Sequence, residues 1–139
     1  MYKKYWKKII EPLLLEEGYI RISSVAFEKV LATGMEIVID IQKYRGKNFV
    51  TINITLNDSN YSQEEGMISA LADYRLGDFL PNRQYDLWWS AKRGDIEQSF
   101  SEIESIMKEK VLPALRKLED MKFTEDFVRN IEFVENLTE

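Results

Sequence analysis

The most regular hydrophobic pattern in the chain runs from residue 35 to residue 58, where apolar and polar residues alternate. The apolar residues occupy odd positions up to Ile41 and even positions from Val50 onward. Because a β-strand presents every second residue to one face, this change of parity predicts an antiparallel hairpin with one buried, isoleucine-rich face. A turn centred on Arg45-Gly46 would place Ile41 opposite Val50 and would set the register of the whole hairpin.

A helical repeat precedes the hairpin. Between residues 2 and 17 the apolar side chains recur at three- and four-residue steps, which is typical of an amphipathic helix. Gly18 follows this stripe and is a typical helix stop, because glycine adopts the left-handed conformation at little cost. Pro12 is expected to kink this helix or to restart it, since an interior proline removes a backbone donor and clashes with the preceding turn.

The strongest helical periodicity lies in residues 95–120. Asp95 is a reasonable N-cap, and Gln98 stands where a capping box requires it. Pro113 is expected to bend this helix or to mark the start of a new one. A last helix is expected to begin at Thr124, which can cap its first turn.

Residues 25–31 and 84–92 have the composition of strands, with a turn at 32–34 after the first, and a short helix is expected near residues 66–75. This order of elements predicts an α+β fold. An antiparallel β-sheet, a meander of about three to four strands, would be packed on one face by the N-terminal helix and the C-terminal helices. The chain shows no internal repeat and no linker, so we expect residues 1–139 to form a single domain.

Charge narrows the range of partners. The net charge is −5, and the excess of acid lies in residues 95–139, with 12 acidic against 6 basic residues. This disfavours nucleic acid, because phosphates are bound by clustered lysine and arginine. It would suit a basic protein partner, although a solvated helix surface is the commoner explanation. The apolar runs are too short or too interrupted for a signal peptide or a membrane span, so we expect a cytoplasmic protein without a membrane segment.

Catalytic chemistry finds little support in the composition. The chain has no cysteine and no histidine, which removes thiol chemistry, the commonest general base and the commonest transition-metal ligand. The glycines form no phosphate-binding motif. Residues 57–65 offer oxygen ligands for Mg²⁺ or Ca²⁺ but lack the glycine and the spacing of an EF-hand loop. We therefore expect no cofactor and no catalytic residue, and the sequence argues against an enzyme.

The hairpin face opposite the isoleucines is mostly polar. It comprises Glu36, Val38, Asp40, Gln42 and Tyr44 on one strand, and Phe49, Thr51, Asn53, Thr55 and Asn57 on the other. Such a face is either an ordinary solvated surface or a polar floor that receives a partner or a ligand. Its only carboxylates, Glu36 and Asp40, would lie about 13 Å apart along an extended strand. Paired glycosidase carboxylates lie about 5–9.5 Å apart, so this pair does not fit that chemistry.

Aromatic residues are concentrated in the connector between residues 61 and 89. They are Tyr61, Tyr74, Phe79, Tyr85, Trp88 and Trp89, with Arg75 and Arg83 interleaved. Aromatic residues with arginine are typical of interface hot spots and of stacking platforms, although packing against the sheet edge and beneath a long loop is the commoner explanation. If the segment is extended, Trp88 and Trp89 must point opposite ways, which leaves one of them for the core and one for the surface.

Several short motifs resemble a bacterial family known as domain of unknown function 4304. They are "IIEPLLLEEGY" (9–19), "IDIQKYRGKNFVTINITL" (39–56), "YRLGDFL" (74–80) and "DLWW" (86–89). The matching positions are Gly18-Tyr19, Gln42, Asn53, Arg75 and Trp88/Trp89, and Tyr19 departs from the phenylalanine that we would expect. The resemblance implies a small bacterial cytosolic domain and implies no activity.

The candidate binding surface therefore consists of Gln42, Asn53, Arg75, Trp88 and Trp89. Our leading hypothesis is a non-enzymatic protein-interaction module, of immunity or regulatory type, that binds another protein. The alternative is a small-ligand-binding protein or enzyme with a pocket between the 57–89 connector and the polar sheet face. RNA binding through stacking on tyrosine and tryptophan is a third and less favoured hypothesis.

Overall fold

The computed structural model describes residues 1–58 and 70–119 and confirms the α+β fold. The strands are β1 (Ile20–Ser23), β2 (Ala26–Val30), β3 (Met35–Lys43), β4 (Phe49–Asp58), β5 (Ala70–Arg75) and β6 (Trp89–Ser90). The helices are α1 (Tyr2–Tyr5), α2 (Glu11–Glu16), α3 (Ile96–Ile106) and α4 (Leu112–Glu119). A π-helical turn, Trp6–Ile10, joins α1 to α2, another, Met107–Val111, joins α3 to α4, and a 3₁₀ turn covers Leu76–Phe79.

The sheet is larger than the predicted meander of three to four strands. Its order is β1-β2-β3-β4-β5, and every pairing is antiparallel. β6 pairs with Phe49 and Val50 at the start of β4. The prediction of a short helix near residues 66–75 is wrong for β5, which pairs along β4 from Asn57 to Asn53. The alanine-rich sequence of β5 favours a helix locally, and pairing with a neighbouring strand overrides this preference. The segment 84–92 contributes only the two residues of β6.

The hairpin of β3 and β4 has the predicted parity but not the predicted register. Ile41 lies opposite Ile52 rather than Val50, so the partner strand is displaced by two residues. The loop is longer than the predicted turn: the Lys47 N–H donates to the Tyr44 carbonyl, and Gly46 has a φ of 76°. A two-residue type I′ turn would need a positive φ at Arg45 as well, which is costly for a residue with a Cβ.

The core lies between the isoleucine face of the hairpin and the helices. Ile39 and Ile52 are fully buried, as are Trp6 and Phe27, whose rings meet edge to face at 6.1 Å. A displacement by two residues preserves the face of every side chain, which explains why the predicted buried face is correct although the register is not.

Gly18 ends the N-terminal helix as predicted. It has a φ of 91°, its N–H donates to the Leu15 carbonyl, and the Tyr19 N–H donates to the Leu14 carbonyl. These two bonds form a Schellman motif, which satisfies carbonyls that the helix end would otherwise leave without donors. Tyr19 is thereby directed into the core, where it is 4% exposed.

Each of the two helical prolines is accommodated in the same way, by a π-helical turn that precedes it. Pro12 and Pro113 each lie two residues after the end of a π-helical turn. A proline cannot donate to the preceding turn and clashes with the carbonyl four residues earlier. A π turn just before it widens the backbone and removes the clash, so the helix continues with its buried stripe shifted by one residue.

The predicted capping box at the start of α3 is wrong. Asp95 is the N-cap residue, but its side chain makes no capping bond and instead accepts a 2.7 Å hydrogen bond from the Ser90 hydroxyl. Gln98 donates to Glu102 one turn later in the helix. Asp95 therefore ties β6 to the helix that follows it. The helix predicted to begin at Thr124 lies outside the described residues.

Candidate functional site

The outer face of the sheet is the side opposite the helices. We use this name for the even positions of β3, the odd positions of β4 and the residues that lie beside them on β1, β2 and β5. One row across the strands consists of Ala26, Asp40, Asn53 and Arg75, and the next consists of Ile20, Glu28, Val38, Thr55 and Asp73. The ladder therefore places Asn53 and Arg75, both predicted from the sequence, side by side.

Asn53 is the centre of a small polar network on the outer face. Its amide nitrogen donates to Asp40 Oδ2 at 3.0 Å and to Gln42 Oε1 at 2.8 Å. In the next row the Thr55 hydroxyl donates to Asp73 Oδ1 at 3.1 Å. An amide NH₂ has two hydrogens, so Asn53 uses both of its donors within the protein.

Asp40 is the electrostatically perturbed group of this network. Burial raises the pKa of its carboxyl above the ordinary value of 3.8, the hydrogen bond from Asn53 lowers it, and the nearby charge of Asp73 raises it further. The net direction is upward, because the carboxylate loses more hydration than a single amide bond returns. Asp40 is therefore a site at which a cationic group from a partner would be favoured.

Arg75 is held by aromatic rings at the β5 side of the outer face. Its guanidinium carbon lies 4.5 Å from the centre of the Tyr85 ring and 5.1 Å from that of Trp88. The carboxylate of Asp86 is 3.9 Å from Arg75 Nη1, and the arginine side chain is 21% exposed. Tyr44 meets Trp88 edge to face at 4.9 Å. Stacking of this kind fixes a long cationic side chain in one orientation.

Trp88 also covers part of the hairpin. In the ladder between β4 and β6, Phe49 pairs with Ser90 and Val50 pairs with Trp89. Continuing this register by one residue would place Trp88 beside Thr51, which lies on the outer face and is nonetheless fully buried. The tryptophan is thus half-buried, with one part against the sheet and the rest accessible to a partner.

The loop that carries Tyr85 and Trp88 is fixed by backbone contacts and by one buried carboxylate. Asp78 is 3% exposed and accepts hydrogen bonds from the Arg75 N–H at 2.9 Å and from Arg83 Nη2 at 3.3 Å. The carbonyl of Gly77 accepts the Gln84 N–H at 2.8 Å. Asn82 and Arg83 both have positive φ, 67° and 47°, which is a strained conformation for residues with a Cβ.

Trp89 points away from the outer face. It is 6% exposed, and its indole N–H donates to Glu102 Oε2 on α3 at 3.2 Å. The alternation of side chains along an extended segment produces this separation of the two tryptophans. Which of them faces the core is decided by the pairing of Trp89 with Val50, whose side chain is in the core.

The structure thus brings Gln42, Asn53, Arg75 and Trp88 to the outer face, while Trp89 belongs to the core. Sequence reasoning missed Asp73, because its segment was assigned to a helix rather than to β5. It also missed Asp86 and the buried Asp78. A carboxylate in a loop belongs to no periodic pattern. Only the closeness of Asp78 and Asp86 to Arg75 and Arg83 along the chain could have suggested their contacts.

Neither a metal-binding cluster nor a membrane-spanning helix is found in the part of the chain that the structure describes. Within residues 1–58 and 70–119, no three histidine, cysteine, aspartate or glutamate side chains are close enough to hold a metal ion. In the same part of the chain, no helix has the length and apolar character that crossing a membrane would require.

A shallow groove of about 310 Å³ lies between the connector and α3. Its lining consists of Leu80, Leu87, Trp89, Glu102, Ser105 and Ile106. Both oxygens of Glu102 already accept hydrogen bonds, one from Trp89 and one from Gln98. Its lining includes none of Gln42, Asn53 and Arg75, so the groove differs in place from the pocket of the alternative hypothesis.

No model of a protein family, no curated protein and no solved structure matches this chain. The resemblance to domain of unknown function 4304 therefore stays a prediction.

Proposed function

We propose that this chain is a non-enzymatic protein-interaction module, of immunity or regulatory type, that binds another protein through its outer face. The observation that carries the proposal is the position of Arg75, whose guanidinium carbon lies 4.5 Å from the centre of the Tyr85 ring and 5.1 Å from that of Trp88, at the β5 side of the outer face. Tryptophan, tyrosine and arginine are the residue types most enriched in the energetic centres of protein interfaces.

Pre-organisation supports a binding role for this group. Association is weakened by the entropy lost when long side chains are ordered at an interface. Arg75 is ordered by its two rings and by Asp86 before any partner arrives. The loop beneath it is held by Gly77 and Asp78, so the cluster is presented on a rigid base.

The charge of the outer face indicates the chemistry of the partner. Its acidic residues are Glu28, Glu36, Asp40 and Asp73, whereas Arg75 is its only basic residue among the described strands. Complementary potentials accelerate association and select partners. The partner surface is therefore basic, with an acidic or apolar group opposite Arg75.

A small-ligand site is less well supported. Ligand pockets present a few polar groups that converge on an enclosed cavity. Here the two amide hydrogens of Asn53 are used by Asp40 and Gln42, and the Arg75 guanidinium lies against Tyr85 and Trp88. The described outer face is a broad surface rather than an enclosed cavity, which suits a protein partner better than a small molecule. A bacterial cytoplasmic setting belongs to the same proposal, supported by the resemblance and by the absence of cysteine.

The test is affinity capture from cells of the organism that encodes the chain, with three baits. These are the wild-type protein, the Arg75→Glu variant and the Leu15→Glu variant, since Leu15 is 58% exposed on α2 and lies away from the outer face. We expect a protein that is retained by the wild type and by Leu15→Glu and is lost with Arg75→Glu. A Trp88→Ala bait, with its fold verified by circular dichroism, repeats the test without reversing a charge. Identical captures by all baits, or no capture by any, would refute the proposal.

A further inference from the structure

The strand β1 forms one end of the sheet and is exposed along its whole length. It stands first in the strand order, and each of its four residues is exposed. Ile20 is 66% exposed and Ile22 is 49% exposed, although both are large and apolar. Ile22 is also the residue at which the register with β2 shifts, because Arg21 pairs with Phe27 and Ser23 with Ala26.

The one charged side chain of β1, that of Arg21, lies close to a carboxylate on α2. Monomeric sheet proteins commonly protect an edge strand with a charged side chain. The only charged residue of β1 is Arg21, and its Nε lies 3.8 Å from Glu11 Oε1 on α2. The arginine therefore lies toward the helix layer, and the two isoleucines are left without a charged neighbour on their own strand.

Glu11 itself has an unsatisfied atom. Its side chain is 8% exposed, and its second oxygen, Oε2, is buried without a hydrogen-bond donor. Buried carboxylate oxygens are almost always paired, because an unpaired one loses its hydration without compensation. A further donor beside Arg21 would relieve this cost.

We propose that β1 pairs antiparallel with β1 of a second copy of this chain, about a two-fold axis at Arg21. In this register Ile20 of each copy lies opposite Ile22 of the other, so the exposed apolar residues cover one another. The two Arg21 side chains lie side by side at the axis, close to both Glu11 carboxylates, and the four charges balance. One four-residue segment supplies both halves of the contact, as an isologous interface requires. This self-complementarity favours a second copy over a foreign strand.

The dimer is independent of the proposed function. Arg75 lies on β5, at the opposite end of the strand order from β1. Pairing at β1 extends the sheet and leaves Arg75, Tyr85 and Trp88 (the Arg75 cluster) accessible in both copies. Each dimer would therefore present two partner sites.

The test combines sedimentation equilibrium of the full chain with hydrogen exchange of the β1 amides. We expect a concentration-dependent dimer and β1 amides whose protection rises with protein concentration. The Ile20→Lys/Ile22→Lys variant should weaken the dimer by roughly tenfold or more, because it removes the central apolar contacts and adds like charges. The control is Val30→Lys, since Val30 is 58% exposed but lies on β2 beyond the β1 ladder.

Three results would overturn the dimer. The first is a monomer at every concentration with fast exchange in β1. The second is β1 protection that does not depend on concentration, which would mean that the edge is covered by the chain itself. The third is a dimer that the double lysine variant leaves as tight as the control. The exchange measurement needs no variant, so it decides the matter even if the substituted protein folds poorly.

Discussion

At the scale of single residues, Gly77 fixes the loop that presents the Arg75 cluster. A Cβ at this position would lie 1.8 Å from the carbonyl oxygen of Gln84, which is far inside the contact distance and involves backbone rather than a flexible side chain. The same region holds the hydrogen bond between the Gln84 N–H and the Gly77 carbonyl. No side chain can therefore be accommodated unless the loop moves.

We predict that Gly77→Ala lowers the free energy of unfolding by about 1–3 kcal/mol, the usual cost of overpacking. Gly94→Ala is the matched control, because nothing lies within 4 Å of a Cβ built there, and it should change stability by less than about 0.5 kcal/mol. Urea denaturation of both variants measures the difference. Equal effects of the two substitutions would show that the loop does not approach Gly77 as described.

Asp40 gives a prediction with a defined sign. Its pKa is raised in the folded protein by burial, despite the hydrogen bond from Asn53. The folded state therefore binds this proton more tightly than the unfolded state, and the contribution of Asp40 to stability falls as the pH rises from below 3.8 through the raised pKa. An asparagine at this position can still accept from Asn53 but carries no charge.

We predict that Asp40→Asn increases the free energy of unfolding relative to the wild type at neutral pH. The difference should shrink as the pH is lowered through the folded pKa of Asp40, since the wild-type carboxyl is then neutral as well. Urea denaturation at a series of pH values measures this. A variant that is less stable at neutral pH and regains wild-type stability in acid would show that the carboxylate stabilises the fold.

At the scale of elements, the register of the β3–β4 hairpin determines which residues are cross-strand neighbours on the outer face, such as Asp40 and Asn53. The Tyr44 N–H donates to the Phe49 carbonyl, which makes this a hydrogen-bonded pair. Pairs alternate along an antiparallel ladder, so Ile41 and Ile52 form a non-hydrogen-bonded pair with Cα atoms about 4.5 Å apart.

We predict a strong nuclear Overhauser effect between the Hα protons of Ile41 and Ile52. The register of a two-residue turn would instead give this effect between Ile41 and Val50. The Hα resonances of Ile52 and Val50 can be assigned separately in a labelled sample, so one spectrum distinguishes the two registers. An effect between Ile41 and Val50 would move Asn53 away from Asp40 and would remove the polar network.

The elements differ in how far local sequence determines them. Period-two alternation predicted the strands and faces of the hairpin, because a face is set by parity alone. The register depended on which loop residue takes a positive φ, and Gly46 does so while Arg45 does not. β5 depends on its pairing with β4 and carries no strong signal of its own. For the same reason the site prediction omitted Asp73. It comprised Gln42, Asn53, Arg75, Trp88 and Trp89, and of these Trp89 lies in the core.

At the scale of the whole molecule, a sheet covered by helices on one side leaves two surfaces with different characters. Arg116 on α4 connects the C-terminal helix to the N-terminal one, because its Nε donates to both carboxylate oxygens of Glu17. That contact holds the pKa of Glu17 below its ordinary value. The ion pair thus connects the N-terminal helix to α4. Among the described strands, the outer face is acidic and has Arg75 as its only basic residue.

If Arg75 and Trp88 bind a protein, as we propose, the affinity for the captured partner must depend on Trp88. Isothermal titration calorimetry would compare the wild type with Trp88→Ala and with Leu15→Glu. We predict that Trp88→Ala weakens binding by roughly thirtyfold, since truncation of a central tryptophan commonly costs about 2 kcal/mol or more, while Leu15→Glu leaves binding unchanged. Equal affinity of the wild type and Trp88→Ala would show that Trp88 is not part of the binding site.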